Sequence, residues 1–302
     1  MENKVSICIV VWNNFFDLLR LLNSIDVNTT TEHEVCIVDN GSSAEVVSFL
    51  KGYQARHMSL KDKIVKIHFN TENRGIGIGR NQVMKMAESD YLLICDSDIV
   101  VPRGWVEDMF SVYNKDFSNI GLVGTAVTGG RQIKDASYWE TDFMTSCCVL
   151  LPKATIVSIK CKFLKEKDRL LKRIEEEKVK PSYNYVGYQE HIEKIKNYIM
   201  RDTGYWDIAF PYGADDFDFS LLVRWAGLRL AIADTVPIFH RNASQNPALK
   251  EHRDRCVREG FQYYRTKWSL FEDCFGEWDP QLWDVIPMNK EYYRRFKSCS
   301  VK

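Results

Sequence analysis

Four short, largely apolar runs, each closed by polar turn residues, constrain this chain more than any other feature. Val5–Val11, Val35–Val38, Ile64–Phe69 and Tyr91–Cys95 are of strand length and rich in Val and Ile. Strands buried on both faces read as near-continuous hydrophobic runs. Helical patterns separate them. Phe15, Phe16, Leu18, Leu19, Leu22 and Ile25 form one stripe, and Asn81–Ala87 reads as a short helix. Alternating strand and helix of this kind predicts an α/β fold, a Rossmann-like, mostly parallel sheet flanked by helices. Ligands of such sheets bind beyond the carboxyl ends of the strands. Asp39, after the second run, and Asp96-Ser97-Asp98, after the fourth, are both expected at that edge.

The second half is less regular. Gly121–Thr128 and Cys147–Leu151 read as strands, Asp215–Trp225 as a helix stopped by Gly227, and Leu228–Ala233 as a strand. Lys160–Lys180 is dense in charge and carries a thin stripe of Phe163, Leu164, Leu170, Leu171 and Ile174. With a second helical piece at Gln189–Met200, it predicts a helical insertion over residues 160–200, exposed along most of its length and separable from the core. The expected organisation is one domain over residues 1–268 containing that insertion, then an aromatic-rich C-terminal extension over residues 269–302.

Composition excludes some functions. Lys+Arg and Asp+Glu both number 41, so there is no net positive charge to support non-specific nucleic-acid binding. No apolar run approaches the roughly 20 residues needed to cross a bilayer. The nine cysteines contain no C-x-x-C pair, which argues against a Cys-rich zinc site. Their scatter and odd count predict reduced thiols and a cytoplasmic location, with room for peripheral attachment to a membrane.

Three clusters carry chemistry. Two carboxylates at i and i+2, Asp96 and Asp98, can hold a hard divalent cation that also takes phosphate oxygens; the alternative is a solvated turn. Asp215, Asp216 and Asp218 open a helix, where acids stabilise the helix dipole. Three are more than capping requires, and crowded carboxylates raise the proton affinity of at least one, which suits a general base. His240 ends the run Val236–Phe239; it is either a structural hydrogen bonder or a ligand alongside carboxylates. Gly75-Ile76-Gly77-Ile78-Gly79-Arg80 lacks dinucleotide-binding spacing and reads as a flexible loop placing Arg74 and Arg80 near a diphosphate.

Together these pieces resemble family 2 glycosyltransferases of the GT-A fold. The resemblance rests on VSICIVVWNN, EVCIVDNGSS, NRGIGIGRN, SDYLLICDSD, GADDFDFSLLVRWAG and VPIFHRNAS, in the family's order. Two departures stand out: Val10-Val11-Trp12 replaces the usual proline of the first motif, and Asp215-Asp216 stands where Glu-Asp is commoner. The resemblance implies an inverting enzyme that moves a sugar from a nucleotide-diphosphate donor, UDP- or dTDP-linked, to a hydroxyl. It places Val11, Trp12, Asn13, Asp39, Asn73, Arg74, Gly75, Arg80, Asp96 and Ser97 on the donor. Asp96, Asp98 and His240 would hold Mn²⁺ or Mg²⁺, and Asp216, with Asp215, would serve as base. The 160–200 insertion and the aromatic tail depart most from the family and are expected to build the acceptor site. The acceptor itself stays open among saccharide, lipid-linked sugar, protein and modified nucleic acid, and no motif specifies an oligomeric state. The rival readings are a sugar nucleotidylyltransferase and a catalytically dead sugar-nucleotide-binding protein.

Overall fold

The computed structural model describes residues 4–115, 119–128, 138–141, 144–184, 186–201, 205–210, 213–241 and 247–271. In chain order these form β1 (Val5–Val11), α1 (Phe15–Asn28), β2 (His33–Asp39), α2 (Ala44–Leu60), β3 (Ile64–Phe69), α3 (Ile76–Met86), β4 (Tyr91–Asp96), β5 (Ile99–Val100), α4 (Trp105–Lys115), β6 (Ile120–Thr128), β7 (Tyr138–Thr141), β8 (Cys148–Pro152), α5 (Lys153–Lys178), α6 (Val186–Met200), α7 (Asp215–Trp225), β9 (Arg229–His240) and α8 (Pro247–Phe271). The strands share one sheet in the order β3-β2-β1-β4-β8-β6-β9-β5, with β7 on β9. β3, β2, β1 and β4 run parallel, and β6 and β9 run parallel to each other. β8 is antiparallel to both β4 and β6, so it joins two parallel blocks that point the same way.

Side-chain alternation along the central strands builds two cores. Val5, Ile7, Ile9 and Val11 of β1 face a cluster with Leu18 and Leu22 of α1, Leu50 of α2 and Trp105 and Met109 of α4. Cys8 and Val10 face the opposite cluster, with Val83 of α3 and residues of α5, α6, α7 and α8. Helices therefore cover both faces, as an all-apolar parallel strand requires. The apolar positions of α2 (Val46, Leu50, Tyr53, His57) and of α4 (Trp105, Val106, Met109, Phe110) follow helical spacing, although the sequence reading passed over both helices.

Two expectations are corrected. The Gly-rich run is not a loop: α3 starts at Ile76, and Gly77–Arg80 form its first turns. A Cβ on Gly79 would lie 2.6 Å from Val10 Cγ1, so the glycine lets α3 close onto β1. The segment 160–200 is not a separable, mostly exposed element. It belongs to a longer pair, α5 and α6, in which Ile159, Leu170, Ile174, Ile192 and Ile195 have no exposed surface. Phe163 packs edge-on against Tyr198, Trp225 and Phe271. A thin stripe on a charged helix suffices when Phe163, Leu170 and Ile174 are buried, even with Leu164 left exposed. The tail beyond Phe271, where the extension was expected, lies outside the described residues.

Burying one aliphatic side chain is worth about 1.5–3 kcal/mol. Leu170, Ile174, Ile192 and Ile195, the four of these within 160–200, together rival the ~5–15 kcal/mol stability of a whole domain. Replacing residues 160–200 by a Gly/Ser linker should therefore abolish cooperative thermal unfolding. A retained, sharp melting transition would show that the rest of the chain does not depend on this pair.

Candidate active site

Parallel register assembles the site. Val11 of β1 aligns with Asp39 of β2, and Val10 aligns with Asp96 of β4, so two acids flank the end of the central strand. Beyond it, Trp12 is half exposed and Asn13 takes a left-handed φ of 52°. The Asn13 amide donates to Ser42 Oγ at 2.9 Å, and the Ser43 amide donates to Asn13 Oδ1 at 2.7 Å. These two bonds fasten the loop after β1 to the loop after β2. Asp39 is 1% exposed. Its Oδ2 accepts from the Ser42 amide at 3.3 Å, while Oδ1 has no hydrogen-bond partner among the described residues. A buried carboxylate oxygen without a partner is costly and calls for a donor. The N3–H of a uracil or thymine is one such group.

Asn40 was read only as part of a turn, and it is the hub of the next loop. Its Oδ1 accepts from the Arg74 amide and from Asn70 Nδ2, both at 3.1 Å. Its Nδ2 donates to Asn73 Oδ1 at 2.9 Å and to the Gly75 carbonyl at 3.2 Å. This holds Asn73, Arg74 and Gly75 beside Asp39, with Arg74 exposed and Gly75 at φ 84° to start α3. The signal was present: an Asn directly after a strand, at a sheet edge that binds ligands.

Arg80 is placed differently from expectation. It is buried on α3, not on an open loop. Its Nη1 donates to Asp215 Oδ2 at 2.6 Å and its Nη2 to Asp96 Oδ1 at 3.1 Å. The guanidinium also lies 5.2 Å from the centre of the Trp206 ring, which stacks on Phe219 at 3.7 Å. One cation thus ties the D-x-D turn to the acid-bearing helix.

Asp96, Asp98 and His240 converge. β5 pairs with β9 so that Ile99 aligns with His240. His240 Nε2 is 3.2 Å from Asp98 Oδ1 and 4.0 Å from Asp96 Oδ2. One ligand atom from each of the three lies within 4.8 Å of the others. The hydrogen bond to Asp98 holds His240 above the ordinary imidazole range. Burial raises the Asp96 carboxyl, with Arg80 opposing. Two carboxylates and an imidazole suit a Mn²⁺- or Mg²⁺-class ion that keeps open positions for phosphate oxygens. Ser97 Oγ, between the two acids, accepts from Asn14 Nδ2 at 3.4 Å.

The acid pair begins α7 after two left-handed residues, Gly213 at φ 75° and Ala214 at φ 63°. A non-glycine in that region is strained and persists only where its surroundings enforce it. Asp215 is buried against Arg80. Asp216 is half-buried, and burial together with the neighbouring Asp215 charge pushes its carboxyl up to about 7. That value places its proton transfer within the working range of a general base.

The profile of Glycosyl transferase family 2 matches residues 6–164, more than half of the chain. The chain belongs to this family. Among curated family relatives, the poly(ribitol-phosphate) beta-glucosyltransferase of Bacillus spizizenii is 23% identical over 239 residues, covering 78% of this chain and 34% of that protein. The chain therefore spans about a third of that relative's length. Among solved structures, a fragment of Staphylococcus aureus TarS in complex with UDP superposes with a TM-score of 0.51 at 16% identity, covering 97% of this chain and 78% of that chain. GalNAc-T7 with UDP, GalNAc and Mn²⁺ superposes with a TM-score of 0.57 at 14% identity, covering 99% and 55%. These superpositions establish the GT-A fold, the fold expected of a family 2 chain. The family match ends at residue 164, so Asp215, Asp216 and His240 join the site from outside it.

Arg80 gives the site a stability test. Removing one member of a buried ion pair strands the other and costs about 3–5 kcal/mol. Arg80→Met should lower the unfolding free energy read from urea titration by that amount, and the midpoint with it, with Asp215 left unpaired. An unchanged midpoint would show that the pair contributes no net stability.

Proposed function

We propose that this chain is an inverting, metal-dependent glycosyltransferase that moves a sugar from a UDP- or dTDP-linked donor to a hydroxyl acceptor. The observation that carries the reading is the convergence of Asp96, Asp98 and His240 within 4.8 Å at the carboxyl edge of the sheet, tied through Arg80 to the acid pair. Asp39, with its unpartnered Oδ1, receives the base, and Trp12 and Asn13 border it. Asn73, Arg74, Gly75 and Ser97 line the approach of the sugar-diphosphate. Arg80 acts on the donor through Asp96, not by direct contact from a loop.

Asp96, Asp98 and His240 would hold the cation, which when bound supplies positive charge to a departing nucleoside diphosphate. Asp216 takes the proton from the acceptor hydroxyl as its oxygen attacks the anomeric carbon. The bond to the diphosphate breaks on the opposite face, and the configuration inverts. Asp215 is held by Arg80, and its charge keeps Asp216 basic.

Relatives that act on poly(ribitol-phosphate) support an acceptor that is a polyol-phosphate or saccharide hydroxyl. No helix among the described residues is long and apolar enough to cross a membrane. A polymeric acceptor would then be met at the membrane surface or in the cytoplasm.

Incubation with UDP-glucose, UDP-N-acetylglucosamine and dTDP-glucose plus Mn²⁺ should release nucleoside diphosphate from at least one donor. Pyrophosphate release would instead indicate nucleotidyl transfer, and no release from any donor would indicate a binding protein. Chelator, or Asp98→Ala in a folded protein, should abolish turnover. Full activity of Asp98→Ala in excess chelator would remove the cation from the reaction.

The base assignment has its own test. Because a base works deprotonated, kcat/KM for transfer should rise with pH through about 7 and level off above it. Asp216→Asn should keep nucleotide affinity, lose about 10²–10⁴-fold in transfer above pH 7, and lose the rise with pH. A comparable loss in Asp215→Asn, absent in Asp216→Asn, would move the base one residue back.

A further inference from the structure

We infer that Lys267, on the C-terminal helix α8, is a positioning residue that fixes the orientation of α7 and thereby aims Asp216 into the cleft. The proposal deepens the transferase reading and rests on it for the role of Asp216. Lys267 has no exposed surface. Its Nζ donates to Asp207 Oδ2 at 2.9 Å and to Asp218 Oδ2 at 2.8 Å. Trp268 Nε1 donates to the other Asp218 oxygen at 2.9 Å, and Tyr263 OH donates to Asp207 Oδ2 at 2.8 Å. The Tyr198 ring caps the ammonium at 3.9 Å. All of these groups except Tyr198 are 2% exposed or less.

Helical geometry turns this cluster into an aiming device. Successive residues of an α-helix are rotated by about 100°, so Asp215 and Asp218, three apart, lie on one face. Arg80 clamps Asp215 from α3, and Lys267 with Trp268 clamps Asp218 from α8. Two clamps on one face set the rotation of α7 about its axis. Asp216 lies off that face, so its direction follows from theirs. The Asp207 arm does the same for the neighbouring strap. Asp207 Oδ1 accepts from the Ala209 amide at 3.0 Å, and the Trp206 backbone amide and carbonyl exchange two hydrogen bonds with the Asn81 side-chain amide. Through Lys267, the strap (residues 205–210), α7 and α8 share one buried ammonium.

A cluster kept only to hold the core together would not need this geometry, since a buried ion pair is weak evidence of stability. What it does secure is specificity of placement. A displacement of about 1 Å at a reacting group can cost roughly 10²-fold in rate.

The test compares Lys267→Met, Tyr263→Phe, Asp218→Asn and the double variant Lys267→Met/Asp218→Asn in the full chain. Hydrogen exchange read by mass spectrometry should show faster exchange over residues 205–220 in Lys267→Met, with α1 and α2 unchanged. UDP affinity by calorimetry should stay at the wild-type value. Turnover of the donor that the wild type uses should fall about 10²-fold in kcat with little change in donor KM. The double variant, which removes one of the two stranded carboxylates, should recover part of that loss. Tyr263→Phe should shift the same exchange window by a smaller amount, which keeps the idea testable if Lys267→Met does not fold. Uniform acceleration of exchange across the chain, with UDP affinity and turnover lost together, would reduce Lys267 to a core residue and overturn the proposal. Unchanged exchange over residues 205–220 would overturn it too. Exchange is read without turnover, so a chain that uses no donor would refute the transferase reading while leaving the aiming geometry to be decided by exchange alone.

Discussion

A single buried guanidinium holds the two halves of the site in register. Arg80 reaches Asp96 at the end of β4 and Asp215 at the start of α7, elements more than a hundred residues apart in the chain. Burying an ion costs several kcal/mol unless geometry and hydrogen bonds compensate it. Here the compensation is complete: two carboxylates take the guanidinium edge, and the Trp206 ring covers its face. The glycines before it are the steric counterpart. Gly79 lets α3 sit close enough to β1 for Arg80 to reach under the sheet edge, since any larger residue would meet Val10.

The first hundred residues were legible because their signal is local. A strand buried on both faces declares itself by continuous Val and Ile, and β1 through β4 all fall where such runs stand. The edge carrying Asp39, Asp96 and Asp98 follows from parallel topology alone. The α7 boundaries were equally plain, with acids at one end and Gly227 past the other. α2 and α4 went unseen because their stripes are short and interrupted by polar residues on the exposed face. The Gly-rich run misled for a physical reason. Glycine signals flexibility in isolation, yet here it serves close helix–strand packing, and only the partner strand reveals that.

Long-range ionic pairing was not legible. Nothing local to Arg80 marks it as a bridge rather than a phosphate ligand, because both roles need an Arg near the same sheet edge. Lys267 stands among Tyr263, Tyr264, Trp268 and Phe271, whose aromatic density gives no sign of a buried ammonium, and its partners Asp207 and Asp218 lie 60 and 49 residues away. The charged helix α5 shows the same limit. Its few apolar residues look too sparse for a core helix until α6, α7 and α8 are present to cover Ile156, Ile159, Phe163, Leu170 and Ile174.

Charge balance explains why these acids stay together. Asp96, Asp98, Asp215 and Asp216 crowd one end of the sheet, and Arg80 and His240 are the cations they touch or surround. Counted over these described groups the surplus is negative even with His240 protonated, and the neighbouring carboxylates add to the burial that raises Asp96 and Asp216. A nucleoside diphosphate brought to such a surface would be repelled by it. On the proposed reading, a divalent ion at Asp96, Asp98 and His240 would reverse the local sign and make the same carboxylates an anion-accepting site. Asp216 is spared direct pairing, since Arg80 is spent on Asp215 and Asp96, and so remains a weak enough acid to act as a base near neutrality. The arrangement therefore separates two uses of carboxylate within one cluster. On that reading one pair is positioned for a cation, and the other is split between a member anchored by Arg80 and one that Arg80 does not reach.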